Sequence, residues 1–142
     1  MEKTVAVIGA GNGGTAIAAY ISSLGVKVNL CDLFPQYLEG IIETKGINLT
    51  LNGKTTRQSF NKVTDDMAEA IANVHLIMVV TPSFTHRMIA ERCHSALTDG
   101  QVVVLNPGRT GGQLDFLNTI RSRGSHADNT IANTQTQKNS SR

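Results

Sequence analysis

The sequence predicts an α/β fold, with a doubly wound parallel sheet at its centre. Three observations predict it. Short apolar, β-branched runs recur along the chain at Thr4–Ile8, Val26–Cys31, His75–Val80 and Gln101–Leu105, each continuous enough for a strand covered on both faces. Stretches with helical spacing of apolar residues alternate with them. The first run ends in Gly9, Gly11 and Gly14, and a helical pattern begins at once.

Length and composition narrow the possibilities. A chain of 142 residues builds one domain with a real core and is too short for two ordinary ones. Its 40 % hydrophobic and 17 % charged content is that of a globular protein. A net charge of +2, with the cations scattered, gives no argument for nucleic acid as a partner. Two cysteines make no disulfide framework; Cys31 in a strand and Cys93 on a helix are expected as buried free thiols. The first apolar run is cut off at Gly9, too short for a signal-peptide core, and no run approaches a membrane span. The default expectation is a cytoplasmic protein with no membrane partner.

The elements follow in order. After the strand Thr4–Ile8, Gly14 to Leu24 is a helix with Ile17, Tyr20, Ile21 and Leu24 on its apolar stripe. Ala16 and Ala19 are small enough to bring it close to a sheet, and Gly25 is its stop. Val26 to Cys31 completes a β-α-β unit, whose right-handed crossover makes the two strands parallel neighbours. Leu33 to Lys45 reads as a helix with Leu38, Ile41 and Ile42 on one side and Gly46 as its stop. Ile47, Leu49 and Leu51 then alternate with polar residues, and Asn52-Gly53 signals a type I′ turn. Residues 47–60 are therefore expected as a β-hairpin insertion that decorates the edge of the sheet.

Thr64-Asp65-Asp66 opens a short helix that buries Met67, Ala70, Ile71 and Val74. The strand His75–Val80 leads through Thr81-Pro82 to a helix capped by Ser83, with Phe84, Met88, Ile89, Cys93, Ala96 and Leu97 facing inward. Gln101–Leu105 is a further strand, and a helix from about Gln113 to Arg123 turns Leu114, Leu117 and Ile120 inward. Thr130-Ile131-Ala132 adds one short strand. Residues 1–133 are thus expected to form one nucleotide-binding domain. The polar run 134–142 is expected to be a disordered tail.

In an open parallel sheet, ligands bind beyond the C-terminal strand ends. Gly9, Ala10, Gly11, Asn12, Gly13 and Gly14 form a turn of Rossmann type. Its first glycine makes the tight turn, its second lets a pyrophosphate approach bare backbone, and its third lets helix and strand pack closely. The helix that follows aims N–H groups and a positive dipole end at the phosphates. Asp32 ends the next strand, 18 residues past Gly14, where a carboxylate takes ribose hydroxyls. Leu33, Phe34, Pro35 and Gln36 after it carry no cation for a 2′-phosphate, so NAD is favoured over NADP. Phe34 or Pro35 either flanks the adenine or simply packs.

Thr81, Pro82, Asn106, Pro107 and Gly108 also reach this edge and are expected nearer the nicotinamide. For Thr81 and Pro82 a plain strand-to-helix turn is the alternative. Three glycines, a proline and an arginine between Asn106 and Gly112 exceed what a turn needs. Of the four histidines, His75, His94 and His126 are expected at the surface, and His86 falls nearest the cleft. None has metal-ligand spacing, so no metal site is expected.

With these residues in place, the chain resembles the N-terminal NAD(P)-binding domain of the opine (octopine/nopaline) dehydrogenases. The resemblance rests on Gly9-Ala10-Gly11-Asn12-Gly13-Gly14, shared with many dehydrogenases, and on the more particular Leu105-Asn106-Pro107-Gly108-Arg109-Thr110-Gly111-Gly112. It runs from about Lys3 to Gln135. It implies an oxidoreductase that uses NADH or NADPH to reduce the imine of an amino acid and a 2-oxo acid. It also implies a helical domain that supplies a catalytic histidine; that domain has no counterpart in these residues. Where the family has an acid before a Thr-Gln pair, this chain has Asn133-Thr134-Gln135. No catalytic residue transfers, and the amino acid and 2-oxo acid become partners only if a catalytic domain is supplied. The alternatives are a non-catalytic NAD(H)-sensing module and an inactive truncated fragment. A partner chain or a homo-oligomer is left open.

Overall fold

The computed structural model describes residues 3–106, 112–124 and 129–133. Six parallel strands form the central sheet in the order β5-β2-β1-β6-β7-β8, with β1 Thr4–Ile8, β2 Lys27–Cys31, β5 Lys62–Thr64, β6 Leu76–Val79, β7 Val102–Leu105 and β8 Thr130–Asn133. The chain winds outward from β1 in one direction and then returns to build the other half. β1 and β6 therefore flank the point where strand order reverses. The strands expected from the apolar runs are all present.

Two apolar layers sandwich the sheet. On one face Ala6, Ile8, Ile77, Val79, Val103 and Leu105 pack against α3 (Met67–Ile71), α4 (His86–Cys93) and α5 (Gly112–Ser122). On the other, Val5, Val7, Val28 and Leu30 meet α1 (Asn12–Ser23), Leu38 and Phe60. Alternate residues of β1 thus serve opposite layers, as the period of two requires. A continuous apolar run is the sequence consequence.

The face that α1 buries differs from the expected stripe. Gly14, Ala18 and Ala19 are buried, while Ala16 is exposed and Tyr20 and Leu24 are 49 % and 62 % exposed. Packing closeness wins over hydrophobic bulk here: small residues let the helix axis approach β1 and β2. Gly25 ends the helix at φ +89, as expected.

The helix expected over 33–45 is instead a single 3-10 turn at Pro35–Leu38 and one helical turn, α2, at Ile41–Thr44. Gly40 sits between them at φ +81, and Lys45, not Gly46, takes the left-handed conformation at the end of α2. Gly46 already belongs to β3 (Gly46–Leu51), where a Cβ would lie 2.2 Å from the Gln58 carbonyl oxygen. β3 pairs with β4 (Lys54–Ser59) around Asn52-Gly53, both at positive φ. This hairpin stands apart from the central sheet and packs on α1, where Ile47 joins the Leu38 layer and Ser22 Oγ donates to the Ser59 carbonyl (3.2 Å).

β5 was not expected. One apolar residue in three gives no period to read, and the strand is fixed by its neighbours. Asn61 N–H donates to the Val28 carbonyl (2.7 Å), and its side chain donates to Asn29 Oδ1 (2.9 Å). Asn29 is itself buried in β2 and donates to the Ala70 carbonyl (2.9 Å), tying β2, β5 and α3 together.

α3 keeps its expected buried side of Met67, Ala70 and Ile71, with Val74 beyond its end. Asp66 Oδ1 caps it by accepting from Ala68 N–H (3.0 Å) and Glu69 N–H (3.3 Å). α4 begins after a 3-10 turn at Ser83–Thr85, so Thr85 rather than Ser83 is its N-cap residue. Phe84, expected inward, lies on that turn and is 86 % exposed. Among the described side chains of α5, Phe116 and Ile120 are the deepest, and Leu114 lies outside those described. The tail 134–142 lies outside the described residues.

Candidate functional site

Strand register decides which residues meet. Ile8 pairs with Cys31 and Val79, and Val79 with Leu105, so these strands end level with one another. The residues that follow them, Gly9, Asp32, Val80 and Asn106, therefore emerge along one edge. Asn106 N–H donates to the Val79 carbonyl there (2.8 Å). Beyond this edge lies a cavity of about 410 Å³, lined among others by Gly9, Gly11, Asp32, Thr81 and Pro82. Asp32 and Thr81-Pro82 thus share one cavity, although the sequence placed them at opposite ends of the ligand. Asn106 does not line it, and Pro107 and Gly108 lie outside the described residues.

The three glycines answer different demands. Gly9 sits at φ +121, and a Cβ there would lie 2.2 Å from the Val80 carbonyl oxygen. A Cβ on Gly14 would lie 1.8 Å from the Gly9 carbonyl oxygen. Neither position admits another residue. Gly11 has ordinary φ and ψ of −74 and −169, and nothing lies within 4 Å of where its Cβ would point. The fold itself leaves that space open, and Gly11 lines the cavity. Gly13 is intermediate, with Val80 Cγ1 at an ordinary 3.7 Å.

Gly11 is also the N-cap position of α1, and no side chain caps the helix. Its first turn carries no acid, so no carboxylate of the helix itself competes for its N–H groups and positive dipole end. Thr15 N–H closes the first turn on the Gly11 carbonyl (2.9 Å). Asn12 and Gly13 are exposed at the start of the helix and do not line the cavity.

Asp32 is buried at the end of β2, yet lines the cavity. Its Oδ2 accepts from Ala10 N–H (2.7 Å) and its Oδ1 from Phe34 N–H (2.9 Å). Two oxygens offer about four acceptor sites, so room is left for ribose hydroxyls. Phe34 and Tyr37 stand edge-to-face on the same wall, with ring centroids 6.4 Å apart. Phe84, Thr85 and Met88 line the cavity too, none of which the sequence marked for this role. Thr85 Oγ1 donates to the Pro82 carbonyl (2.7 Å) and lies 2.7 Å from Thr81 Oγ1, fixing the turn. Among the described residues no lysine or arginine lines the cavity.

His86 is buried on α4 and is not part of the cavity wall; His75 is exposed. His126 lies outside the described residues. Cys31 and Cys93 are buried free thiols, as expected. Burial, then the Asp32 carboxylate, push Cys31 up to about 12; burial does the same to Cys93. Neither is a reactive thiolate at neutral pH. Among the described residues no three His, Cys, Asp or Glu side chains cluster to hold a metal ion, and no helix is long and apolar enough to cross a membrane.

A parallel sheet with a glycine turn at its switch point, an uncapped helix N-terminus and a strand-end carboxylate fits a dinucleotide. Together these define the cofactor domain of a nicotinamide-dependent dehydrogenase. The chain belongs to the family of NAD-dependent glycerol-3-phosphate dehydrogenase N-termini, whose model matches residues 4–128. The likeness to opine dehydrogenases is also found. An opine dehydrogenase from Arthrobacter sp. (strain 1C) is 35 % identical over 123 residues, covering 87 % of this chain and 34 % of that protein. A glycerol-3-phosphate dehydrogenase [NAD(P)+] from Moorella thermoacetica is 32 % identical over 104 residues, covering 73 % and 31 %. Octopine dehydrogenase, solved with NADH and L-arginine, shares the fold at TM-score 0.76 and 19 % identity, over 91 % of this chain and 34 % of that one. The chain spans about a third of the length of the curated relatives it matches.

Proposed function

We propose that this chain binds NAD(H) as the cofactor half of an opine-dehydrogenase-type oxidoreductase, which condenses an amino acid reductively with a 2-oxo acid. The observation that carries the binding claim is Gly11. The fold demands glycine at 9 and 14, but at 11 it leaves open space beside a helix N-terminus. A pyrophosphate against bare backbone accounts for that glycine; the residue's modest N-cap preference accounts for it less well. Gly9 to Gly14 would hold the phosphates, Asp32 the adenosine ribose, and Thr81 and Pro82 the opposite side of the same pocket. Asn106, Pro107 and Gly108 would serve the nicotinamide side. With an acid at 32 and no cation on the wall, NAD is preferred to NADP. When bound, the cofactor supplies hydride; this chain's residues bind it and orient it.

The opine reading over a glycerol phosphate reading is supported by the higher sequence identity over a longer span. It is supported as well by the Leu105–Gly112 motif. Hydride transfer needs an acceptor held against the nicotinamide and shielded from water, and one such domain supplies one wall of that cleft. The test is to graft residues 1–133 onto the remainder of the Arthrobacter opine dehydrogenase. The chimera is expected to oxidise NADH when given pyruvate with an amino acid from a panel. Activity of residues 1–133 only when joined instead to the remainder of the Moorella glycerol-3-phosphate dehydrogenase, with dihydroxyacetone phosphate as substrate, would overturn the opine assignment.

A further inference from the structure

We infer that Asp32 has a second task besides gripping a ribose: it presets the glycine turn for the phosphates before any cofactor arrives. The inference rests on the NAD(H) reading of the same site. Both oxygens of its carboxylate accept from backbone N–H groups. Oδ2 holds Ala10 N–H, inside the glycine turn, and Oδ1 holds Phe34 N–H, on the aromatic wall. One buried side chain thereby joins the loop after β1 to the loop after β2, over a sequence separation of 22 residues. Gly9 N–H also donates to the Cys31 carbonyl (2.7 Å), a bond that belongs to the strand ladder. Ala10 N–H therefore points at Asp32, which leaves the N–H groups at the start of α1 for an anion.

Asp32 is thus a positioning residue for the phosphate subsite. Asparagine cannot replace it. An amide offers one acceptor oxygen and one NH₂, so one of the two backbone N–H groups would face a donor. The unmet N–H would shift the turn or pull in water.

The test compares ADP with 2′,3′-dideoxy-ADP, which lacks the ribose hydroxyls, on the full chain and on Asp32→Asn. Binding heats are measured at a temperature where circular dichroism shows both proteins fully folded. If Asp32 presets the turn, the variant loses about tenfold or more in affinity for the dideoxy compound too. Amide exchange would also accelerate at Ala10 and Phe34 but not in β1 or β6. Unchanged dideoxy-ADP affinity in the variant overturns the inference while leaving the NAD(H) reading intact. Failure of the wild-type chain to bind ADP or NADH at all overturns that reading, and this inference with it. Should the variant not fold, exchange in the wild-type chain decides. A protected Ala10 amide without ligand supports the preset turn, and one exchanging as fast as an exposed amide refutes it.

Discussion

Three glycines in one turn meet three physical requirements, and substitution separates them. At Gly9 an alanine meets both a positive φ and the Val80 carbonyl oxygen, so Gly9→Ala is expected to cost more than about 2 kcal/mol of stability. At Gly11 an alanine meets nothing, so Gly11→Ala should melt as the wild type does yet bind NADH about tenfold more weakly or worse. Equal affinity in that variant would show that no phosphate approaches there. Thermal melts and a fluorescence titration of both variants separate the two expectations. The glycine spacing was legible in the sequence because it repeats a known geometry. The distinction between glycines needed for packing and a glycine needed for a ligand was not, since it depends on where the Val80 and Gly9 carbonyls end up. Phe84 shows the converse limit. Its helical spacing read as inward, but the 3-10 turn ahead of α4 rotates it out to the cavity mouth.

Among the elements, the apolar strands and the hairpin were legible, and the short polar β5 was not. β1 and β2 each bury four of their five residues, and β6 and β7 bury two of four with the other two half-buried, so their apolar composition alone distinguishes them. β5 exists because Asn29 and Asn61 hold it, and a hydrogen bond between side chains 32 residues apart leaves no periodic trace. The 33–45 segment misled for a local reason. Its apolar spacing suits a helix, but Pro35 and the left-handed Gly40 divide it, while Asp32 draws Phe34 N–H out of any helical ladder. α3 gives a direct check of the element scale. Its five residues are too few to persist unaided, and Asp66 meets two of its open N–H groups. Asp66→Ala is expected to cost about 1 kcal/mol, lowering the melting temperature by about 4 °C. A melt unchanged within error would show that tertiary packing alone holds the helix.

Taken whole, the molecule is a sheet whose core and ligand edge share the same residues, so stability and binding are linked. NADH at a hundredfold excess over its Kd is expected to raise the unfolding free energy by about 2.7 kcal/mol. Stability should also depend on pH through the two buried thiols. Each is raised from the ordinary 9.0 to about 12 in the folded chain. Between those limits the unfolded chain has lost protons that the folded chain keeps, so their contribution is complete below pH 9 and is lost as pH rises towards 12. Urea midpoints should therefore fall through this window, and Cys93→Ala should make the fall shallower. An equally steep fall in that variant would show that other groups govern it.

Backbone amide resonances followed during an NADH titration test the central claim most directly. Binding at the switch point predicts saturable shifts at Gly9, Gly11, Gly13, Gly14 and the amides of Asp32 to Phe34, with the β3–β4 hairpin tip unmoved. Saturable shifts confined to other surfaces, or none at millimolar NADH, would contradict it.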